Sequence, residues 1–177
     1  MTQLKMNKIL LNTLRFALFL IIQVIVLNQV ELGAGTLLMI YPLFIMLLPV
    51  DINVFLLLFL AFVLGISIDA MSNTYGLHAS SLVLMAYFRP IIFKAFAPRD
   101  GYEVDMEVNI HNMGVRWFFR TFGILLLIHH FWFFLMELLR FDEILYVLQK
   151  TILSLPLSFA LCVLLQFLII RRPVKGT

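Results

Sequence analysis

Cysteine is almost absent from this sequence, in which Cys162 is the only one among 177 residues. A lone cysteine excludes an internal disulfide framework and a metal site built from several thiolates. Because Cys162 lies within a long apolar run, we expect a buried thiol that packs as a small hydrophobic side chain.

Charged residues are also scarce, since Asp, Glu, Lys and Arg make up 13% of the chain and apolar residues 63%. This composition excludes an ordinary soluble domain and is typical of an integral membrane protein. A chain of this length holds about six spans of about 20 residues with short connections. With no repeat and no Pro/Ser-rich linker, the sequence predicts a single integral membrane domain over residues 1–177.

Catalytic signatures are missing as well. The sequence has no HExxH, no GxSxG and no glycine-rich phosphate loop, and no span holds two carboxylates that could bind a metal. We therefore expect no enzyme, no cofactor, no nucleic-acid partner and no small-molecule substrate. A small membrane enzyme of lipid metabolism remains an alternative, and its activity would have to depend on Asp69, His78 or Glu137.

Long apolar runs are what the chain does have, and they predict an all-α polytopic membrane fold. The second run is interrupted by Gly35, Pro42 and Pro49, so it is expected to pack against neighbours or to enter the bilayer as a broken helix. No small-x-small cleavage site follows the first run, which is therefore expected to stay attached. The six predicted spans are 9–27, 35–49, 54–71, 77–97, 115–139 and 144–170.

The distribution of basic residues predicts the orientation in the membrane. They flank the first span (Lys5, Lys8, Arg15), the last span (Arg171, Arg172, Lys175) and the connection 98–114 (Arg99, with Lys94 and Arg116 beside it). Because basic flanks are retained in the cytoplasm, both termini and this connection are predicted to be cytoplasmic. An even number of spans follows.

Polar residues cluster in the hairpin between the third and fourth spans. Asp69 lies near the outer end of the third span, where a carboxylate meets the negative end of the helix dipole and needs a partner, and His78 is one candidate. Asp69 either is satisfied locally or organises a functional surface. Arg89 lies on the same face as His78, about 16 Å deeper at about 1.5 Å per residue. It is expected either to snorkel towards the cytoplasmic headgroups or to form an inward-facing ion pair.

The fifth predicted span contains the adjacent histidines His129 and His130. Their side chains point about 100° apart on a helix and no His or Asp lies four residues from either, so no metal site is predicted. His130 and Glu137 do share a face, and Glu137 lies three residues before Arg140. These residues predict a polar contact near the outer surface.

The connection 98–114 contains the sizeable hydrophilic stretch of the chain. Between Tyr102 and Asn109, apolar and polar residues alternate, which is the periodicity of a strand. A lone strand is unstable in water, so the segment is either a solvated surface loop or a strand that adds to the sheet of a cytoplasmic partner.

A resemblance to a known family rests on residues 65–87. The pattern Gly65-x-x-x-Asp69, followed by Gly76-Leu77-His78-Ala79 and then Ala86-Tyr87, resembles the central hairpin of the rod shape-determining protein MreD family. The chain length and the six-span layout are also similar. The connection 98–114 departs from the family in being long and acidic, which puts its role in doubt.

The resemblance implies a structural role for the hairpin. Gly76 would permit a tight turn, Asp69 would tie the turn to neighbouring backbone or to His78, and the two spans would pack closely around Gly65 and Ala79. Together with Arg89, these residues form the candidate structural hairpin or partner surface.

The resemblance also implies a location and partners. Family members lie in the bacterial cytoplasmic membrane and bind the periplasmic shape protein MreC. Through MreC they belong to the elongation complex that includes MreB, RodA and a penicillin-binding transpeptidase. The family's fold is similar to the substrate-binding component of energy-coupling-factor vitamin transporters, so vitamin uptake is the alternative function.

Overall fold

A computed structural model describes residues 2–30, 32–33, 35–103, 106–139 and 141–169. This part of the chain is helical and contains no strand, which confirms the predicted all-α class. The α-helices are α1 (Thr2–Ile21), α2 (Pro42–Leu47), α3 (Val54–Ser72), α4 (Leu77–Ala95), α5 (Ile110–Met113), α6 (Val115–Leu138) and α7 (Ile144–Ile169). A π-helical turn (Ile22–Val26) and a 3₁₀ turn (Leu27–Gln29) extend α1, and a 3₁₀ turn (Phe141–Glu143) precedes α7.

Four of the described helices are long and apolar enough to cross a membrane: Ile9–Gln29, Val54–Ser72, Val115–Leu138 and Ile144–Leu168. Their outward faces carry large apolar side chains, among which Phe55 is 83% and Leu145 80% exposed. A continuous apolar exterior of this kind is unfavourable in water and is expected of a surface that faces lipid. The chain is therefore a membrane protein.

The second predicted span is not a span-length helix. Residues 37–40 are not helical and lie inside the bundle before the six-residue helix α2 begins at Pro42. Non-helical backbone at membrane depth requires partners for its polar groups. Three backbone N–H groups of this stretch donate at 3.0 Å to side chains of the neighbouring spans, namely Gln23, Ser154 and Ser158.

Helices α1 and α3 run parallel. Residues from the first halves of both spans line one cavity, and at the opposite end Asn28 Nδ2 donates to Ser72 Oγ over 2.6 Å. The chain between the two helices therefore returns from one end of the bundle to the other, although its only described helix is α2.

Helix α4 is the centre of the bundle and packs against both α3 and α6. The face that His78 and Arg89 are predicted to share is buried: His78, Leu82, Met85 and Arg89, which follow one another at intervals of four, three and four residues, are at most 5% exposed. The polar residues of this helix, of which His78, Ser81 and Arg89 are buried, account for its absence from the four strongly apolar spans.

The strand predicted for Tyr102–Asn109 is not present among its described residues, and Val104 and Asp105 lie outside them. The segment is irregular and lies against the helices, with Val108 fully buried. Tyr102 donates a 2.6 Å hydrogen bond to the Phe93 carbonyl, and burial raises the pKa of its hydroxyl. Burial in the described part of this segment does not follow the alternation, because polar Asn109 is buried as well as Val108.

Candidate functional site

The turn between α3 and α4 depends on two left-handed residues. Asn73 ends α3 with φ +54°, and its N–H donates to the carbonyl of Asp69. Gly76 precedes α4 with φ +85°, a conformation that L side chains rarely adopt. The tight turn expected at Gly76 is confirmed.

Asp69 connects the two helices of the hairpin. Its Oδ1 accepts from Thr74 Oγ1 at 2.6 Å, His78 Nδ1 at 2.9 Å and His78 N–H at 3.0 Å, and its Oδ2 accepts from Ala79 N–H at 2.9 Å. The side chain is 2% exposed. The expected contact with His78 is confirmed.

The start of α4 stabilises the negative charge of Asp69. The carboxylate lies in the last turn of α3, which is unfavourable, but it caps the first turn of α4, where free N–H groups and the positive end of the dipole stabilise it. Gly76, at the cap position of α4, has no side chain that could perform this task. Asp69 therefore acts as the N-cap of α4 from the preceding helix.

Gly65 permits the close approach of α3 and α4. A Cβ placed on Gly65 would lie 2.7 Å from the Ala79 backbone nitrogen and 2.9 Å from the His78 carbonyl carbon. These are backbone atoms, which no side-chain rotation can move. The close packing expected around Gly65 and Ala79 is confirmed, and it places Asp69, one turn further along α3, beside the start of α4.

His78 also contacts aromatic rings of other segments. Its ring centroid lies 4.9 Å from that of Phe133 on α6 and 5.5 Å from that of Tyr41. The Tyr41 hydroxyl forms a 2.8 Å hydrogen bond with Nε2 of His129. The hairpin is thereby joined to a buried polar cluster in the middle of the bundle, and among the described residues no group of three His, Cys, Asp or Glu could hold a metal.

Arg89 has neither of the environments expected of it. Its side chain is buried rather than snorkelling, and its Nη2 donates to the carbonyl oxygens of Leu48 and Pro49, with Met46 at 3.5 Å. The guanidinium carbon lies 4.4 Å from the Phe93 ring centroid. The reason is that α2 ends inside the bundle, where its last carbonyls have no intrahelical donor and a cation is favoured.

Replacement of Arg89 with methionine is expected to lower the free energy of unfolding by roughly 3 kcal/mol, because several buried carbonyls would lose their donor. Thermal unfolding in detergent, followed by circular dichroism, measures this effect. Lys94→Met is the control, because Lys94 lies on the exposed side of α4. Equal transition temperatures for the two variants would contradict the proposed role of Arg89.

His130 and Glu137 contact other residues and do not form the polar contact that was expected. Glu137 forms a 2.7 Å ion pair with Lys150 of α7, while His130 contacts the Leu126 carbonyl at 3.0 Å and Ser158 Oγ at 3.1 Å. The two residues therefore belong to separate interactions. The suggested partner Arg140 lies outside the described residues.

Sequence reasoning missed the polar residues that α7 contributes. Lys150 is a buried part of this helix. Ser154 and Ser158 are also buried and follow it at intervals of four. Three polar residues at this spacing in an apolar helix define one inward-facing stripe, and this signal was present in the sequence. Cys162 continues the stripe as a buried free thiol, as expected.

A cavity of about 360 Å³ opens beside the hairpin. Its size lies within the usual range of small-molecule sites, about 300–1,000 Å³. The polar side chains that line it are Asn28, Gln29, Ser72, Asn73, Thr74, His78 and Glu137.

No family model matches the chain, and no curated protein or solved structure is significantly similar to it. The fold and the hairpin therefore have to be interpreted from their own residues.

Proposed function

We propose that this protein is a non-enzymatic membrane scaffold of the bacterial cell-wall elongation machinery, in which it would act as a protein similar to the MreD family. In this role it binds MreC and helps to maintain cell shape. MreB, RodA and a penicillin-binding transpeptidase are indirect partners in the same complex.

The observation that carries the proposal is the arrangement around Asp69. The residues on which the resemblance rests meet in one contact between α3 and α4: Gly65 allows the approach, while Asp69 binds His78 and Ala79. Both carboxylate oxygens are used within the hairpin, so the motif serves to fix a surface. A rigid corner of this kind suits a protein that presents fixed helices to a partner.

The proposed topology has six membrane crossings in the cytoplasmic membrane, with both termini in the cytoplasm. The parallel arrangement of α1 and α3 supports a crossing by the intervening segment, and the close pairing of α3 with α4 supports a return by α4. Helix α4 has 19 residues, as α3 does, which at about 1.5 Å per residue approaches the roughly 30 Å of the hydrocarbon core. The basic flanks in the sequence support the orientation.

One observation favours the alternative function of vitamin uptake. The 360 Å³ cavity beside the hairpin has several hydrogen-bonding side chains, of which His78 and Glu137 come from different helices. A small polar ligand would find donors and acceptors there. In this function the hairpin would form one wall of the binding site.

Depletion of the protein in its bacterial host separates the two functions. The scaffold role predicts rounded or swollen cells of increased width, and recovery of MreC with the tagged protein from detergent-solubilised membranes. Normal cell shape, together with a tightly bound vitamin or an energising ATPase module in the eluate, would refute the scaffold role and support uptake.

A further inference from the structure

A second cavity lies between α1 and α3, away from the hairpin, and has a volume of about 670 Å³. Its α1 lining comes from residues 9–16 and its α3 lining from residues 56–63. These are the first halves of the spans Ile9–Gln29 and Val54–Ser72. The cavity therefore lies within one half of the membrane thickness.

The lining is amphipathic. Most of the lining is apolar and includes Phe16, Phe44, Leu56, Leu60 and Val63. The polar lining residues are Asn12, Thr13, Asp51 and Asn53.

The two ends of the cavity differ in polarity. Asp51 and Asn53 lie directly before α3 begins at Val54, at the edge of the apolar span. The mouth of the cavity thus carries polar groups, whereas the α3 lining beyond it is apolar (Leu56, Leu60 and Val63). This combination suits a membrane amphiphile, which has a polar headgroup and an apolar chain.

The length and position of the cavity match those of a lipid chain. Residues 53–63 of the lining extend over about 15 Å at the helical rise of about 1.5 Å per residue. This length is about half of the roughly 30 Å hydrocarbon core, which is the depth that the acyl chains of one leaflet occupy.

The charge at the mouth indicates the headgroup. Asp51 is exposed, and within the part of the chain that the structure describes no cation pairs with its carboxylate. None of the described lining residues is Lys or Arg. A bare anionic headgroup would be repelled by Asp51, while an ammonium group would be attracted to it.

We propose that this cavity is a phospholipid site that takes the acyl chain of an amine-bearing lipid such as phosphatidylethanolamine, with the ammonium group facing Asp51. The wall is fixed in advance, because Leu48 and Pro49 line the cavity and their carbonyls are bound by Arg89. A preformed wall reduces the ordering that binding has to impose. The site is independent of the proposed scaffold function.

Lipid retention tests the site. The full chain is placed in bilayer nanodiscs of equimolar phosphatidylethanolamine and phosphatidylglycerol, returned to mild detergent, and its retained lipids are counted by native mass spectrometry. Wild type is expected to keep phosphatidylethanolamine at least threefold over phosphatidylglycerol. Val63→Trp, which fills the cavity, is expected to lower retention at least fivefold, whereas Ile66→Trp, on the exposed side of the same helix, leaves it unchanged.

Two further variants complete the test. Leu60→Phe fills the cavity by less and is expected to give a partial loss, which keeps the site testable if Val63→Trp does not fold by circular dichroism. Asp51→Asn is expected to retain as much total lipid as wild type but to lose the preference for phosphatidylethanolamine. Asp100→Asn, in the connection 98–114, is the control and is expected to keep this preference. Equal retention by the cavity variants and wild type would overturn the site, and equal retention of the two lipids by wild type would overturn the headgroup assignment.

Discussion

Asp69→Ala is expected to lower the free energy of unfolding by roughly 4 kcal/mol. The change leaves the N–H groups of His78 and Ala79 without their acceptor at the buried start of α4, and it also removes the carboxylate oxygen that the His78 side chain and the Thr74 hydroxyl share. The loss of a helix cap alone costs about 1 kcal/mol. Unfolding by denaturant in detergent micelles, followed by circular dichroism, measures the difference.

Asp69→Asn and Asp100→Ala are the matched variants. Asparagine keeps one oxygen but turns an N–H₂ group towards a backbone N–H. We therefore expect the free energy of unfolding of Asp69→Asn to lie between that of wild type and that of Asp69→Ala. Asp100 is exposed in the connection, and its replacement is expected to change stability by less than about 0.5 kcal/mol. A finding that Asp69→Ala is as stable as Asp100→Ala would show that the four hydrogen bonds do not hold the hairpin.

The same variant tests whether the hairpin matters for the scaffold. If the proposed function is correct, recovery of MreC with Asp69→Ala should fall even under conditions in which the variant is still folded, because the relative position of α3 and α4 is no longer fixed. Normal recovery of MreC from folded Asp69→Ala would place the partner surface elsewhere. The predicted loss of stability in Asp69→Ala does not depend on the outcome of the MreC experiment.

Helix positions in this protein are largely readable from the sequence. The spans predicted at 54–71 and 115–139 correspond to α3 (Val54–Ser72) and α6 (Val115–Leu138). The reason is that a long apolar run can satisfy its backbone in lipid only as a helix. The contact between Asp69 and His78 was also predictable, since a short turn brings residues nine apart to the same end of two antiparallel helices.

Contacts between distant segments were not readable in the same way. Arg89 binds backbone carbonyls about 40 residues away. This contact could not be predicted, because the sequence does not show which backbone carbonyls lack a hydrogen-bond donor in the folded protein. The sequence predicts the segment 37–40 as part of an apolar span, yet it is not helical, and Gln23 and two serines of α7 satisfy its backbone N–H groups. Partner choice in both cases depends on the packing of the whole bundle.

Gly65→Ala is expected to lower the free energy of unfolding by about 2 kcal/mol, in spite of the better helix propensity of alanine. Propensity favours alanine over glycine by about 1 kcal/mol within a helix. The added Cβ, however, would lie 2.7 Å from the Ala79 nitrogen and closer still to its Cα, so α3 and α4 have to separate. Overpacking of a tight interface costs about 1–3 kcal/mol, and the loss of the Asp69 hydrogen bonds adds to it.

Gly123→Ala is the matched control on α6. Its Cβ would meet only a ring carbon of Phe159 at 3.9 Å, an ordinary contact, so the gain in propensity should remain and the variant should be as stable as wild type or up to about 1 kcal/mol more stable. We therefore expect Gly65→Ala to lower the free energy of unfolding and Gly123→Ala to leave it unchanged or raise it. A stabilising effect of Gly65→Ala would contradict the close packing of α3 on α4.

A second-site variant identifies the atoms that clash with the added methyl group. Because the nearest atoms are backbone atoms of Ala79, the double variant Gly65→Ala/Ala79→Gly should recover none of the lost stability, whereas a clash with the Ala79 methyl group would be relieved. Gly65→Ala and Asp69→Ala should also be less than additive, since separation of the helices already breaks the hydrogen bonds that Asp69→Ala removes. Full additivity would mean that the approach at Gly65 and the cap at Asp69 are independent features, and the hairpin would then not act as one rigid unit.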